Sequence, residues 1–96
     1  MPKPPFDLNT YEGVVADIVS KLDDEGRALL RKTPKDDLIQ FHFGWGRNIR
    51  NEYHLWSNEA LVKSCAKHAG QEGFIHPDDA SSIIMKGVWE VANSRP

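Results

Sequence analysis

The stretch TPKDDLIQFHFGWGRNIRN, residues 33–51, decides the fold because it holds the sharpest helix start and the broadest apolar face of the chain. Thr33 has a side chain that caps helices, and Pro34 suits the first helical position, where no amide partner is needed. Behind this start, apolar and aromatic side chains recur at helical spacing along two adjoining stripes. The pattern predicts a central helix with these inward residues: Leu38, His42, Trp45 and Ile49 on one stripe, and Ile39, Phe43, Gly46 and Arg50 on the other.

Two glycines interrupt the predicted central helix. Gly44 and Gly46 each cost about 1 kcal/mol of helix propensity relative to alanine. Such a cost makes sense where another backbone or a large ring approaches closely, or where the segment kinks. The sequence leaves both interpretations open.

Two shorter helices are predicted before the central one. Asn9 and Glu12 have the spacing of a capping arrangement, and the apolar residues that follow fit one helix stripe over about residues 10–22. Asp23 or Asp24 caps a second helix of two or three turns. Its predicted inward residues are Ala28, Leu29 and Leu30.

Two further helices are predicted after the central one. Ser57 or Asn58 caps the first, which ends at a left-handed Gly70, and His76 and Pro77 begin the second. Their predicted inward residues are Leu61, Val62, Cys65 and Ala69, then Ala80, Ile83, Ile84, Gly87, Val88 and Val91. The expected fold class is all-α, a compact single-domain bundle of four to five short helices over residues 9–93. An extended, proline-rich tail is expected at residues 1–8.

Composition excludes several classes of protein. Twelve Lys and Arg against 14 Asp and Glu give a net charge of −2, and the signs are mixed along the chain, so we expect no nucleic-acid partner. The longest uncharged stretch, residues 38–46, has nine residues, about half of a membrane span, so we expect no membrane partner. The single cysteine and the absence of a secretory signal at the opening residues favour the cytoplasm.

The densest polar cluster, residues 47–52, adjoins the most hydrophobic predicted helix and therefore needs partners. A buried arginine requires an acceptor, and we predict that Arg50 pairs with Asp79 or Asp78. The favoured interpretation is a structural network that ties the central helix to the start of the last one. Its members are His42, Arg50, Asn51, His76, Asp78 and Asp79. The alternative is an acid/base or anion-binding pocket built from His42, Arg50, Asn51, His76 and Asp79.

Metal and nucleophilic chemistry are weighed at Cys65 and His68, which stand three residues apart on a predicted helix. The spacing matches no recurrent zinc pattern, and a lone cysteine on an apolar stripe is usually core. We therefore expect an inert buried thiol, no catalytic residue, no metal and no cofactor.

Aromatic residues are more numerous than a minimal bundle must bury. Aromatic and arginine side chains anchor protein interfaces, and the predicted partner-binding candidates are Phe41, Arg47 and Tyr53, with the acidic first two helices beside them. Burial of all the aromatics in the core is the alternative.

Three blocks of sequence resemble an uncharacterised family of small bacterial proteins. They are a His-Phe-x-x-Gly-x-x-Ile-Arg-Asn block at residues 42–51, Leu55-Trp56, and a His-Pro-Asp-Asp-Ala-Ser block at residues 76–81. The resemblance covers about residues 36–91 and leaves the N-terminal third outside. It implies the helical fold and the pairing of the two polar blocks, and it implies no activity.

The expected function is that of a small, non-enzymatic module that binds another protein, as an immunity protein, an antitoxin or a phage-type inhibitor does. Such a role requires a rigid scaffold, an aromatic or arginine anchor, and charges that steer the partner. The sequence leaves the choice between monomer and homodimer open. The competing function is a small-molecule or enzymatic pocket at the polar cluster named above.

Overall fold

The computed structural model describes residues 6–72 and 75–94, and over these residues the protein is an all-α bundle without strands. The predicted fold class is confirmed. Five α-helices are joined by loops and by a central segment, residues 35–46, which forms a 3₁₀ helix followed by a π helix. In chain order the elements are α1 (Tyr11–Lys21), α2 (Asp24–Lys32), a 3₁₀ helix (Lys35–Phe41), a π helix (His42–Gly46), α3 (Arg47–Glu52), α4 (Glu59–His68) and α5 (Pro77–Asn93).

Helix α5, with 17 residues, is the longest element and the centre of the packing. It contacts all four other α-helices and both parts of the wound central segment. Its inward face is closely packed, since Ala80, Ile84 and Val88 are fully buried. At Gly87 the ring of Tyr11 from α1 lies against the α5 backbone, so no side chain fits there. No helix among the described residues is long and apolar enough to cross a membrane.

The starts of α1, α2 and α4 follow the capping chemistry of the sequence, with a shift of one residue at α1. Helix α1 is capped by Thr10, whose hydroxyl accepts from the Gly13 amide, and not by Asn9. Asp23 caps α2, and Asn58, one of the two predicted candidates, caps α4. Gly70 has a φ of 78°, the left-handed conformation predicted for it.

The predicted central helix is wrong in its start at Thr33, and its winding changes twice, from 3₁₀ to π at His42 and from π to α at Arg47. The Thr33 hydroxyl donates to the Leu29 carbonyl, so this residue ends α2, and the 3₁₀ helix begins after Pro34. A 3₁₀ helix has about three residues per turn, which aligns Leu38 with Phe41 and turns Ile39 outward. Ile39 is 69% exposed and Phe43 is 85% exposed, although both were expected on the inward face.

Neighbouring side chains explain why Gly46 lacks a side chain, whereas no described residue explains it at Gly44. The Arg50 guanidinium and the Met85 sulfur lie within 4 Å of where a Gly46 side chain would begin. Side chains, and not a backbone or a ring, therefore make the close approach predicted there. No described atom lies that near to Gly44.

Four other inward assignments are also wrong. Ala28 is exposed and Leu29 is 50% exposed, because α2 turns only Leu30 fully into the core. Ala69 is exposed because α4 ends at His68, and Ala66 takes the buried place. Val91 is 45% exposed near the end of α5, whereas Ile83, half-buried, packs against the core as predicted.

The predicted tail falls partly outside the described residues, which begin at Phe6. Phe6 and Leu8 are half-buried, and Leu8 packs against the core. The Asp7 carbonyl accepts from the Thr10 hydroxyl, which joins this segment to the start of α1.

Candidate functional site

The Arg50 side chain joins α3 to the first turn of α5. It is 8% exposed, and its Nε lies 3.4 Å from Asp78 Oδ1. Its Nη1 donates to Ser81 Oγ at 3.1 Å, and its Nη2 donates to the His42 carbonyl at 3.5 Å. The guanidinium thus contacts one carboxylate oxygen and two neutral acceptors, so the arrangement is not a bidentate ion pair.

The two histidines of the cluster differ in their roles. His76 caps α5, because its Nδ1 accepts from the Asp78 amide at 3.0 Å. His42 has its Nε2 3.9 Å from Asp78 Oδ2, while its buried Nδ1 has no hydrogen-bond partner among the described residues. Asp78 is therefore the residue that both histidines and Arg50 approach.

Two predicted members do not join this network. Asn51 and Asp79 are exposed, and their side chains form no hydrogen bond with a described residue. Each follows a network residue directly in a helix, and a step of one residue turns a side chain by about 100°. Ser81 was missed, although its place three residues after Asp78 puts both on one face of α5.

Tyr53, predicted to bind a partner, is instead part of the core. It is 4% exposed, and its hydroxyl donates to Asp17 Oδ2 at 2.6 Å. Burial, followed by this hydrogen bond, raises the pKa of the Tyr53 hydroxyl. Lys21 lies 3.0 Å from Asp17 and 2.9 Å from Glu52, so the three charged groups form one chain beside the tyrosine. The spacing of Asp17 and Lys21, one helical turn, was the signal for this cluster in the sequence.

Cys65 is fully buried in α4, and burial raises the pKa of its thiol to about 12. At neutral pH the sulfur is protonated, whereas metal binding and nucleophilic attack both require the thiolate. His68 stacks on the Tyr11 ring with centroids 3.8 Å apart. Within residues 6–72 and 75–94, no three His, Cys, Asp or Glu side chains come together in a way that could hold a metal ion.

An apolar groove lies between α2 and the central segment, and no sequence pattern pointed to it. Its volume is about 180 Å³. The residues that line it are Leu22, Gly26, Leu29, Leu30, Phe41 and Trp45. Phe41 and Trp45 form its aromatic wall, with ring centroids 6.4 Å apart and an edge-to-face geometry. We call this surface the Leu22–Trp45 groove.

A second cleft, of about 190 Å³, adjoins the first, since Leu22 and Trp45 line both. Its other lining residues are Ile18, Lys21, Asn48, Ile49, Glu52 and Tyr53. These residues come mainly from α1 and α3. Two of them, Lys21 and Glu52, are charged.

The remaining predicted anchors divide between groove and open surface. Phe41 is half-buried and lines the groove, whereas Arg47 is exposed at the start of α3. Phe43, expected on the inward face, and Trp56, of the Leu55-Trp56 block, are both exposed. Phe74, another aromatic residue of the sequence, lies outside the described residues.

These features define a small all-α bundle in which the buried Arg50 joins α3 to Asp78 and Ser81 in the first turns of α5. The chain belongs to the DUF6794 family, a domain of unknown function, whose family model matches residues 10–91. The match includes α1 and α2, which the resemblance from residue 36 onward left out. Comparison with curated proteins and comparison with solved structures find no match.

Proposed function

We propose that this protein is a small, non-enzymatic module that binds another protein through the Leu22–Trp45 groove. The observation that carries the proposal is the groove itself, a concave surface lined by large apolar side chains and one glycine. Leu29 is 50% exposed there, and Phe41 and Trp45 are half-buried. Aromatic side chains held in partly open pockets are the usual anchors of protein interfaces.

Two hydrogen bonds fix α2, which forms one wall of the groove, against α5. The Trp89 indole donates to the Thr33 carbonyl at 2.7 Å, and the Arg31 Nε donates to the Ala92 carbonyl at 3.1 Å. Both bonds connect the C-terminal end of α2 to α5. A binding surface fixed in this way loses little conformational entropy when a partner docks.

The polar cluster gives less support to the competing function, a catalytic or ligand-binding pocket. Arg50 is buried and uses its donors on groups of the protein itself. Asn51 and Asp79, which that pocket would require, lie apart from the cluster. The groove, in turn, is lined by apolar side chains and a glycine, which supply no nucleophile, acid or base.

Within this proposal, the module acts as an immunity-type, antitoxin or phage-type inhibitor that covers the functional surface of its partner. The small scaffold and its apolar groove support this role, because inhibition by occlusion requires a surface and no chemistry. A bacterial, cytoplasmic setting remains part of the proposal, as does a choice between monomer and homodimer.

Affinity purification from the native host at moderate salt tests the proposal, with two substitutions of matched exposure. Leu29→Glu places a charge in the groove, whereas Val91→Glu places one on α5 outside it, at 45% against 50% exposure. We expect one stoichiometric protein with the wild type and with Val91→Glu, and its loss with Leu29→Glu. Identical recovery with both variants, or no stoichiometric protein from a folded wild type, contradicts the proposal.

A further inference from the structure

We infer that two copies of this chain pair antiparallel along the outward face of the central segment. The exposed residues of this face recur at every turn from the start of the 3₁₀ helix to the start of α3. They are Asp36, Ile39, Gln40, Phe43, Gly44 and Arg47, and we call them the Asp36–Arg47 stripe. Other residues line the Leu22–Trp45 groove, so the inference stands apart from the proposed function.

The middle of the stripe is apolar and exposed. Phe43 is 85% exposed and Ile39 is 69% exposed, the two highest values among the large apolar residues of the described chain. Large apolar side chains exposed on successive turns form a patch, and such patches mark interaction sites. Residues 38–46 carry no charge. A twofold axis favours a neutral centre of this kind, because a charge near the axis faces its own copy.

Gly44 leaves the backbone open beside Phe43. A side chain built at Gly44 would meet no described atom within 4 Å, so packing within the molecule does not explain this glycine. In an antiparallel pair about an axis between residues 41 and 42, Gly44 of each copy lies opposite Ile39 of the other. The missing side chain then gives Ile39 room and lets the two backbones approach closely.

Charge along the stripe changes sign from one end to the other. Asp36 and Asp37 are exposed in the first turn, and Arg47 is exposed at the opposite end. The nearby Arg50 is buried and its charge is balanced by Asp78. An antiparallel pair places Arg47 of each copy opposite Asp36 of the other, whereas a parallel pair places like charges together. Charge complementarity therefore selects the antiparallel orientation.

The lysines near the acidic end leave its charge negative. Lys35 is bound to Glu90, with 2.8 Å between Nζ and Oε1. Lys86 lines one cleft together with Asp36 and offsets one of the two aspartates, so a net charge of −1 remains. Lys32 ends α2, and two residues with extended backbone separate it from the 3₁₀ helix.

A cleft beside the acidic half of the stripe has room for the Phe43 ring of the second copy. It lies between the 3₁₀ helix and α5 and has a volume of about 210 Å³. Leu38, Ile39 and Met85 supply its apolar lining. A cavity of about 150 Å³ with such a lining holds a benzene ring. The antiparallel pair brings Phe43 of each copy to residue 40 of the other, next to Ile39 at this cleft.

Sedimentation equilibrium of the full chain tests the inference. Between about 1 and 500 µM, we expect the weight-average mass to rise and to level off at twice the monomer mass, because a closed pair leaves no stripe free. Phe43→Ser should raise the Kd of the dimer at least about tenfold. Trp56→Ser removes another exposed aromatic side chain, outside the stripe, and should leave the Kd unchanged.

Charge exchange tests the orientation. Arg47→Asp and Asp36→Arg each place like charges opposite each other twice per dimer, and each should raise the Kd at least about threefold. The double variant exchanges the two charges and should return the Kd to within about twofold of the wild type. A double variant that is weaker than either single variant contradicts the antiparallel pair.

Gly44→Leu tests the close approach of the two copies. This variant should fold, since no described atom lies within 4 Å of the new Cβ, and circular dichroism checks the folding. We expect its Kd to rise at least about tenfold. Leu29→Glu, in the groove, should leave the Kd of the dimer unchanged, so loss of the dimer and loss of a groove partner are separate results.

Two outcomes overturn the inference. One is a wild type that stays monomeric over the whole concentration range, which leaves the proposed function of the groove standing. The other is a dimer whose Kd is unchanged by Phe43→Ser and Gly44→Leu, because the contact then lies elsewhere. If Gly44→Leu fails to fold, Phe43→Ser decides, since the Phe43 side chain is exposed and the fold does not depend on it.

Discussion

The packing around α1 and the Leu22–Trp45 groove use glycine in different ways. Around α1, Gly13 and Gly87 are buried, and the Asp7 backbone and the Tyr11 ring occupy the space where side chains would lie. In the groove, Gly26 is half-buried, and a side chain there would meet the ends of the Asp23 and Leu22 side chains at 3.1 and 3.2 Å, which shift more easily than a backbone or a ring. The fold therefore requires glycine at positions 13 and 87, whereas it only tolerates glycine at position 26. A glycine that the packing does not require is the better guide to function, because stability alone does not explain it.

Substitution of Gly87 should give the largest loss of stability. Gly87→Val drives two methyl groups into the Tyr11 ring, and we expect the free energy of unfolding to fall by about 3 kcal/mol, the upper end of the usual cost of overpacking. Urea denaturation followed by circular dichroism measures it. Tyr11→Phe in the same chain removes the nearest atom and should restore part of the loss. A Gly87→Val variant as stable as the wild type would show that the interface is loosely packed.

Loss of the Tyr53 hydroxyl should rank second. Tyr53→Phe leaves the buried Asp17 carboxylate without its 2.6 Å donor while Lys21 remains, and we expect a loss of about 1 to 2 kcal/mol. The matched control is Tyr11→Phe, because the Tyr11 hydroxyl has no hydrogen-bond partner among the described residues. Thermal unfolding of the two variants compares them, and equal losses would contradict a stabilising role for the Tyr53–Asp17 bond.

Alkaline pH should lower the free energy of unfolding through Cys65, which is fully buried in α4. The pKa of this thiol rises on folding from 9.0 to about 12, so the unfolded chain releases the proton first, and stability falls as pH rises from near 9 toward 12. Between pH 8 and pH 10 we expect a loss of about 1 kcal/mol. Urea denaturation at a series of pH values measures this slope. Cys65→Ala, less stable throughout, should flatten it, and an unchanged slope in that variant would rule out the thiol as the cause.

The smallest effect is expected at Gly26. Gly26→Ala gains helix propensity, while the Asp23 and Leu22 side-chain ends, 3.1 and 3.2 Å from the new methyl group, must shift by a few tenths of an ångström, so stability should change by less than about 0.5 kcal/mol. Its change in midpoint during urea denaturation is the measurement. A loss above about 1 kcal/mol would instead make Gly26 a packing residue like Gly87 and would weaken the functional interpretation of the groove.

The part of the fold that local chemistry controls was predictable from the sequence. Caps, prolines and apolar spacing located α1, α2, α4 and α5 to within a residue or two, because each signal acts within one or two turns. The winding of residues 35–46 was not predictable. Geometries with three, 3.6 or more residues per turn differ little in local energy, and packing of Leu38 and Phe41 against the rest of the molecule selects among them.

The candidate site divides in the same way. The sequence predicted that Arg50 needed a carboxylate and offered Asp78 as one of two, since buried charge demands a partner wherever the fold brings one. The groove gave no such signal. Its walls come from α2 and from the central segment, and Leu29 reads as a core residue in the sequence because its exposure depends on how those two elements diverge.

The three tryptophans lie in three different environments, which makes the protein its own set of spectroscopic reporters. Trp89 donates its indole hydrogen to Thr33, Trp45 stands in the groove wall, and Trp56 is 63% exposed. Their indole resonances in a nitrogen-15 correlation spectrum therefore observe the α2–α5 joint, the groove and the solvent-facing loop separately. A ligand in the groove should move the Trp45 resonance first, whereas partial unfolding of α2 should move that of Trp89. One titration therefore distinguishes binding in the groove from unfolding of α2.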